Sequence, residues 1–395
     1  MNGIRIRGEV APGFEGMRHA FAACLADEPA DPGAQLAVHL EGRRVVDLWT
    51  DGPVVGDTVV GDTVVGDTVT GDSLMGVYSS TKGAAVLTVA LLVQEGVLDL
   101  DRRVADHWPA FAAEGKRDVT IRQVLSHQAG VPGVDGGLTP AELADDALAA
   151  GRVAAQRPYW EPGTAYGYHS FTFGAILNEV VRAATGETLQ RVYESRVRAP
   201  RALDVYLGLP EREDERVVAT LPWLSTPAQE AALAANWPGA DSVPGVSYNL
   251  NATPPMDYVA YANSRETRAN GPSSGGAVAS ARGLASLYSA AVFGLDGEPP
   301  LLAPTTLAEF TRLHTPGADL VTGVEDRFAL GFEHKRSQYP FLGERAFGHC
   351  GMGGSEAFAD PATGVVYAYT RRRMPFGFTA TENRCLTAAV LRCLS

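Results

Sequence analysis

The sequence predicts an α+β protein in which both ends of the chain build one α/β lobe and the middle forms an inserted, mainly helical lobe. Three observations predict it. β-rich runs lie near the start, at Ala34–Trp49, and near the end, at Ala357–Ala359 and Val365–Tyr369. The stretch between them carries the helical periodicities. A length of 395 residues exceeds what one compact core usually serves. Terminal strands joined in one sheet would leave a cleft between the lobes, where ligand sites often lie.

Taken in order, Ala34–Trp49 (AQLAVHLEGRRVVDLW) reads as a hairpin about Glu41-Gly42-Arg43. Val54–Thr68 is the pentapeptide VVGDT three times over, followed by the variant VTGDS at Val69–Ser73. The repeat is too short for a solenoid and reads as an expanded surface loop over 54–73, expected to be mobile and dispensable. Tyr78–Glu95 has Ala85, Val86, Val89, Leu92 and Val93 at helical spacing, Ser79 or Ser80 as a start cap and Gly96 as a stop. Val119–Leu125 begins a second helix with Thr120 as its cap. Phe173–Thr185, closed by Gly186, is a third, and Ala281–Phe293 a fourth. Between Leu203 and Asn270 the chain is rich in Pro, Asn and Asp, without clear periodicity. A turn at Asp360–Gly364 joins the last two strands, and Thr381–Leu394 reads as a terminal helix.

Composition narrows the function. With 45% hydrophobic and 20% charged residues the chain is an ordinary globular protein. A formal net charge of −13 argues against a nucleic-acid partner and against an anionic membrane surface. No run approaches the roughly 18 apolar residues of a membrane span. Met1–Gly8 is polar and basic with no apolar run after it, unlike a secretory signal. Cys24, Cys350, Cys385 and Cys393 are scattered, which suggests neither a disulfide framework nor a zinc site, and a reducing cytoplasm is expected. Three lysines stand against thirty arginines, so a lysine inside a chemical motif is conspicuous.

Three serine motifs compete. Ser79-Ser80-Thr81-Lys82 is an S-x-x-K at a predicted helix start, and residues i and i+3 share a helix face, so Lys82 can reach the Ser79 hydroxyl. A serine needs a neighbour to take its proton, and a lysine can do so when burial or nearby positive charge lowers its pKa. On spacing alone a plain cap and a solvated lysine explain the four residues equally well. Gly271-Pro272-Ser273-Ser274-Gly275 is a formal G-x-S-x-G, but the polar residues before it do not form the buried strand of a nucleophile elbow, so a flexible turn is expected. Gly71-Asp72-Ser73-Leu74 is the tail of the repeat, and no histidine follows His349 to complete an esterase of that type.

Four stretches in order separate these readings. Tyr78–Gly83 (YSSTKG), Val119–Pro132 (VTIRQVLSHQAGVP), Pro158–Gly174 (PYWEPGTAYGYHSFTFG) and Phe347–Asp360 (FGHCGMGGSEAFAD) resemble the class C β-lactamase and penicillin-binding-protein superfamily, above all the family VIII carboxylesterases. The resemblance implies a β-lactamase/DD-peptidase-like fold over 1–395, with an antiparallel sheet flanked by helices. Its α/β lobe would span about residues 1–77 and 325–395, and its helical lobe about 78–324. It implies Ser79 as acylated nucleophile, Lys82 as general base, and Tyr168 as the tyrosine that shares proton transfer and acts as tyrosinate towards the deacylating water. The N–H groups of Ser79 and Met352 would form the oxyanion hole. Ser170, His349, Gly351 and Trp160 would contact substrate, with Trp223 and Trp237 as further pocket candidates. No cofactor or metal is expected.

Two departures from the superfamily set direction. Tyr168-His169-Ser170 stands where β-lactam enzymes carry Tyr-x-Asn, and His349-Cys350-Gly351 stands where they carry Lys-Thr-Gly. An amide-binding asparagine and a permanently charged lysine are thereby lost, and histidine is mostly neutral near pH 7. The expected activity is cleavage of small carboxylic esters through an acyl-enzyme. Transfer of the acyl group to an amine or alcohol, weak β-lactamase activity and a catalytically silent binding protein are the alternatives. Oligomeric state and the natural acyl and alcohol groups are not encoded in these patterns.

Overall fold

The computed structural model describes residues 5–394 except 27, 29, 31, 51–57, 61–62 and 66–67. Its main sheet has seven antiparallel strands: β1 (Ile6–Val10), β2 (Ala34–Leu40), β3 (Arg43–Thr50), β4 (Glu333–His334), β5 (Phe347–Cys350), β6 (Glu356–Asp360) and β7 (Val365–Arg371). Their order is β1-β3-β2-β7-β6-β5-β4. The two ends of the chain meet where β2 pairs with β7, from Ala34↔Arg371 to Leu40↔Val365. The expected hairpins are both present. Glu41 and Gly42 take φ of 49° and 82°, the left-handed pair that a two-residue turn needs between strands of right-handed twist.

Strand alternation sorts the two faces of the sheet. Leu36, Val38, Tyr367 and Tyr369 meet Met17 and Phe21 of α1 (Gly16–Cys24) and Leu386 and Val390 of α7 (Glu382–Arg392). On the other face the small residues Ala37, Ala357, Ala359 and Ala368 leave room for α6 (Ala281–Val292), which contributes Leu284, Leu287 and Tyr288. The sheet face thus covered leads directly to α2 (Thr81–Gln94), whose residues are buried on every side except near its end. Such a helix is apolar all round because it is wrapped by protein all round.

Helix starts and stops follow the local signals at most places. Thr120 closes a capping box with Gln123 at the start of α3 (Ile121–Leu125), and Gly186, at φ 80°, ends α4 (Thr172–Thr185). Within 203–270 the structure has short helices where no periodicity was visible, among them α5 (Pro227–Ala235), started by a Thr226–Gln229 capping box. Helices of five to nine residues are set by their caps and by tertiary contacts, which periodicity does not report. Neither Ser79 nor Ser80 caps α2. The Ser80 hydroxyl is 3.1 Å from the His349 carbonyl and 2.9 Å from the Ser355 hydroxyl, so it ties the helix start to the sheet.

Two expectations need correction. Cys24 and Cys385 are joined in a disulfide that links α1 to α7. Their 361-residue separation hid the pairing. No helix among the described residues is long and apolar enough to cross a membrane. The repeat is also less uniform than it reads. Thr58–Val60 pairs with Thr63–Val65, while much of the rest lies outside the described residues. The tail Val69–Ser73 is anchored: Gln35 Nε2 donates to the carbonyls of Thr70 (2.6 Å) and Ser73 (3.0 Å), and Asp72 pairs with Arg282 at 2.5 Å. Deleting Val54–Thr68 should leave the melting temperature and aryl-ester turnover near those of the full chain. Extending the deletion through Ser73 should lower the melting temperature by several degrees in calorimetry, because it strips the buried Gln35 amide of two acceptors.

Candidate active site

Ser79 sits on a tight helical turn, Tyr78–Ser80, that runs straight into α2. Tyr78 takes φ 47°, a left-handed conformation that costs a non-glycine residue roughly 1–2 kcal/mol. Its phenol is tied to the Tyr258 carbonyl at 3.0 Å. The first N–H groups of such a turn, Ser79 among them, have no acceptor behind them in the helix.

Lys82 lies one turn further on, fully buried, with Nζ 3.3 Å from Ser79 Oγ. Its other partners are two carbonyls, Ser170 at 2.7 Å and Ser274 at 2.8 Å. None of these three partners is a carboxylate. Burial therefore lowers its pKa to about 7, with the charge of Glu333 pulling the other way. A neutral amine has two hydrogens and one lone pair. With both hydrogens donated to the carbonyls, the lone pair is left for the Ser79 hydroxyl proton.

Tyr168 completes the trio, its hydroxyl 2.6 Å from Ser79 Oγ and its ring stacked on Phe328. Lys82 Nζ lies 4.9 Å from the ring centre and Arg327 5.8 Å. The phenol is not poised as the expected tyrosinate. Burial holds the phenol well above its usual range, and the Ser79 hydrogen bond offsets this only in part. Tyr168 is thus a neutral donor to Ser79.

On the opposite wall, β5 delivers His349 and Cys350 and the chain continues through Gly351 and Met352. A Cβ on Gly351 would lie 2.2 Å from the Val77 carbonyl, and one on Gly353 2.5 Å from the Tyr78 ring, so only glycine lets this segment pass so close to the Tyr78–Ser80 turn. Among the described residues, no acceptor bonds the Met352 N–H. His349 donates Nδ1–H to the Cys350 carbonyl at 2.7 Å, which leaves Nε2 a buried acceptor without a partner among the described residues. Burial pulls its pKa down to about 3, so it is neutral near pH 7, as its residue type suggested.

Ser79, Tyr168, Ser170, His349, Gly351 and Met352 line a cavity of about 360 Å³. Trp237 lines it too, with the aromatic rings of Tyr248, Tyr258 and Phe378, which no motif announces: Tyr248 and Tyr258 sit at the ends of helices of five and six residues and Phe378 in a single helical turn. Trp160 does not. Its indole donates to the Ala165 carbonyl at 3.0 Å and its ring meets His169 edge-on, behind the wall. Trp223 packs on Phe376 and Phe378 outside the lining.

The competing serines are elsewhere. Ser273 is buried and bonded to Asp146 through both its amide (2.9 Å) and its hydroxyl (2.7 Å), so the G-x-S-x-G segment is a bolted turn rather than a flexible one. Its neighbour Ser274 supplies a carbonyl to Lys82, a role no motif announces. Ser73 bonds to Thr70 within its own turn. Glu333, His349 and Cys350 offer atoms within 4.8 Å of one another, but Lys335 and Arg327 already neutralise Glu333 and oppose a metal ion there.

A family model described as Beta-lactamase matches residues 21–391. The esterase/beta-lactamase LipL of Mycobacterium tuberculosis (strain ATCC 25618 / H37Rv) is 30% identical, over 96% of this chain and 86% of its own. Among solved structures, EstA from Arthrobacter nitroguajacolicus Rue61a superposes with a TM-score of 0.84 at 38% identity, covering 98% of this chain and 97% of that one. A family VIII carboxylesterase superposes with a TM-score of 0.83 at 36% identity, covering 99% and 100%.

Proposed function

The chain belongs to the beta-lactamase family and is a carboxylesterase of the serine-hydrolase type, and we propose that Ser79, Lys82 and Tyr168 carry out its chemistry. The observation behind this reading is the single buried cluster in which Ser79 Oγ is bonded at once to Lys82 Nζ and Tyr168 Oη.

Acylation begins with neutral Lys82 taking the Ser79 proton as Oγ bonds to the ester carbonyl carbon. The negative charge that develops on the carbonyl oxygen is met by the N–H groups of Ser79 and Met352. As the C–O bond to the alcohol breaks, Tyr168 gives its proton to the departing oxygen and receives one from the lysine ammonium. Lys82 and Tyr168 are then both neutral again. Water attacks the acyl-enzyme in the second half, loses its proton to Lys82, and the proton returns to Ser79 Oγ as the acid leaves. Because burial keeps Tyr168 protonated, the base in both halves is Lys82.

The substrate is a small ester without an obligatory carboxylate. His349 is neutral, Ser170 is hydrogen-bonded to Ser247, and the Arg327 guanidinium at the wall is paired with Glu333. The mouth is aromatic. A fluorophosphonate probe should label the protein stoichiometrically on the peptide that holds Ser79, located by mass. Labelling on another serine, or none, would rule this reading out.

A further inference from the structure

Glu333 is a fully buried carboxylate beside the cavity, and the steps above give it no role. It sits where the sheet runs out. β4 pairs with β5 only at His334↔Phe347 and Glu333↔Gly348, and beyond Gly348 no strand among the described residues flanks β5 on that side. On the other side the ladder continues, with Cys350↔Glu356 and a Gly351 N–H bond to the Ser355 carbonyl at 2.8 Å. The Cys350 N–H faces the open side and would be a buried donor without an acceptor. Glu333 Oε2 accepts it at 3.0 Å, and the Cys350 thiol donates to Oε1 at 3.2 Å.

The carboxylate is itself held from behind. Lys335 Nζ is 2.6 Å from Oε2 and Arg327 Nη2 is 2.5 Å from Oε1. Lys335 also lies 2.6 Å from Glu356 on β6, whose other oxygen accepts from the Tyr339 hydroxyl at 2.9 Å. Although burial alone would raise it, Lys335 and Arg327 keep the Glu333 carboxyl well below the usual range, so it stays an acceptor. A buried ion network is by itself poor evidence of stabilisation. What distinguishes this one is its address: it grips the last strand residue before Gly351 and Met352.

We infer that Glu333 is a positioning residue for the oxyanion hole: its carboxylate takes the place of the missing strand neighbour along β5 and fixes the path of the chain into the Met352 N–H. The inference rests on the role proposed for Met352. A carboxylate displaced from Cys350 would let that donor move, and a misplacement near 1 Å at a reacting group costs on the order of 100-fold.

Glu333→Asp keeps the charge that neutralises Arg327 and Lys335 but withdraws the oxygens by one methylene. The expected result is a folded protein whose kcat for an aryl ester is reduced about 10- to 100-fold while KM changes by less than about threefold. Its affinity for phenylboronic acid, which forms a tetrahedral adduct on the serine, should fall in parallel with kcat. A folded Asp variant with wild-type kcat overturns the inference. So does a loss that matches the loss of folded protein by circular dichroism, or one that appears in KM alone. Should the Asp variant not fold, Glu333→Gln decides: without the charge that Lys335 and Arg327 hold in place, its grip on the Cys350 N–H should slacken, so kcat falls more than about threefold with KM little changed, and a folded Gln variant whose kcat stays within about threefold of wild type overturns the inference. If Ser79 itself were misassigned, Ser79→Ala would keep its activity whatever happens at Glu333, which separates the two failures.

Discussion

Ser79→Ala should abolish turnover of an aryl ester, by about 10⁴-fold or more in kcat, whereas Ser273→Ala should leave kcat within about threefold. The contrast is large because the two serines meet different chemistry. Ser79 Oγ touches a lysine amine and a phenol and lines the cavity, so the substitution removes the atom proposed to be acylated. Ser273 is occupied by Asp146, and its loss leaves a buried carboxyl one donor short, a cost paid in stability of about 1–3 kcal/mol. Steady-state kinetics with both variants, normalised to folded protein, checks this. Activity retained by Ser79→Ala and lost in Ser273→Ala would reverse the assignment.

Lys82→Met should lower kcat/KM by about 10²- to 10⁴-fold, the range that general-base catalysis supplies. The sign of the accompanying pH dependence is fixed. The active form of Lys82 is neutral, and burial places its pKa near 7, so the competent fraction falls as pH drops through about 7. Below that point kcat/KM should decline tenfold per pH unit, and above about pH 8 it should level off. His349 and His169, lowered by burial to about 3 and about 4, do not titrate in this window. Tyr168, held protonated, adds no descending limb near neutrality. A profile that stays flat down to pH 5, or an inflection near 7 that survives in Lys82→Met, would contradict Lys82 as the base.

Much of this was legible in the sequence for reasons that can be named. Ser79 and Lys82 are three residues apart, and a helix turns that spacing into contact. The Glu41-Gly42 turn, the Thr120–Gln123 capping box and the Gly186 stop are local as well, and all three are present. The resemblance of four ordered stretches supplied Tyr168 and the His349–Met352 wall.

Other features depend on distance in the chain and on burial. The carbonyls that take up both hydrogens of a neutral Lys82 come from Ser170 and Ser274, 88 and 192 residues away. The tyrosine segment holds Trp160 as well as Tyr168, yet the fold turns the indole outward behind His169 and brings Trp237 and Phe378 to the mouth instead. Residue type told that Tyr168 could exchange a proton. Its protonated state was decided by the loss of water around it, which outweighs the hydrogen bond to Ser79. The sequence by itself determined the Ser79–Lys82 contact and the two-ended sheet, because short-range geometry and strand pattern are written residue by residue, whereas the catalytic roles proposed for the pair came from the resemblance. Only the tertiary structure decided which groups are desolvated, and desolvation is what sets the charge of Lys82, Tyr168, His349 and Glu333.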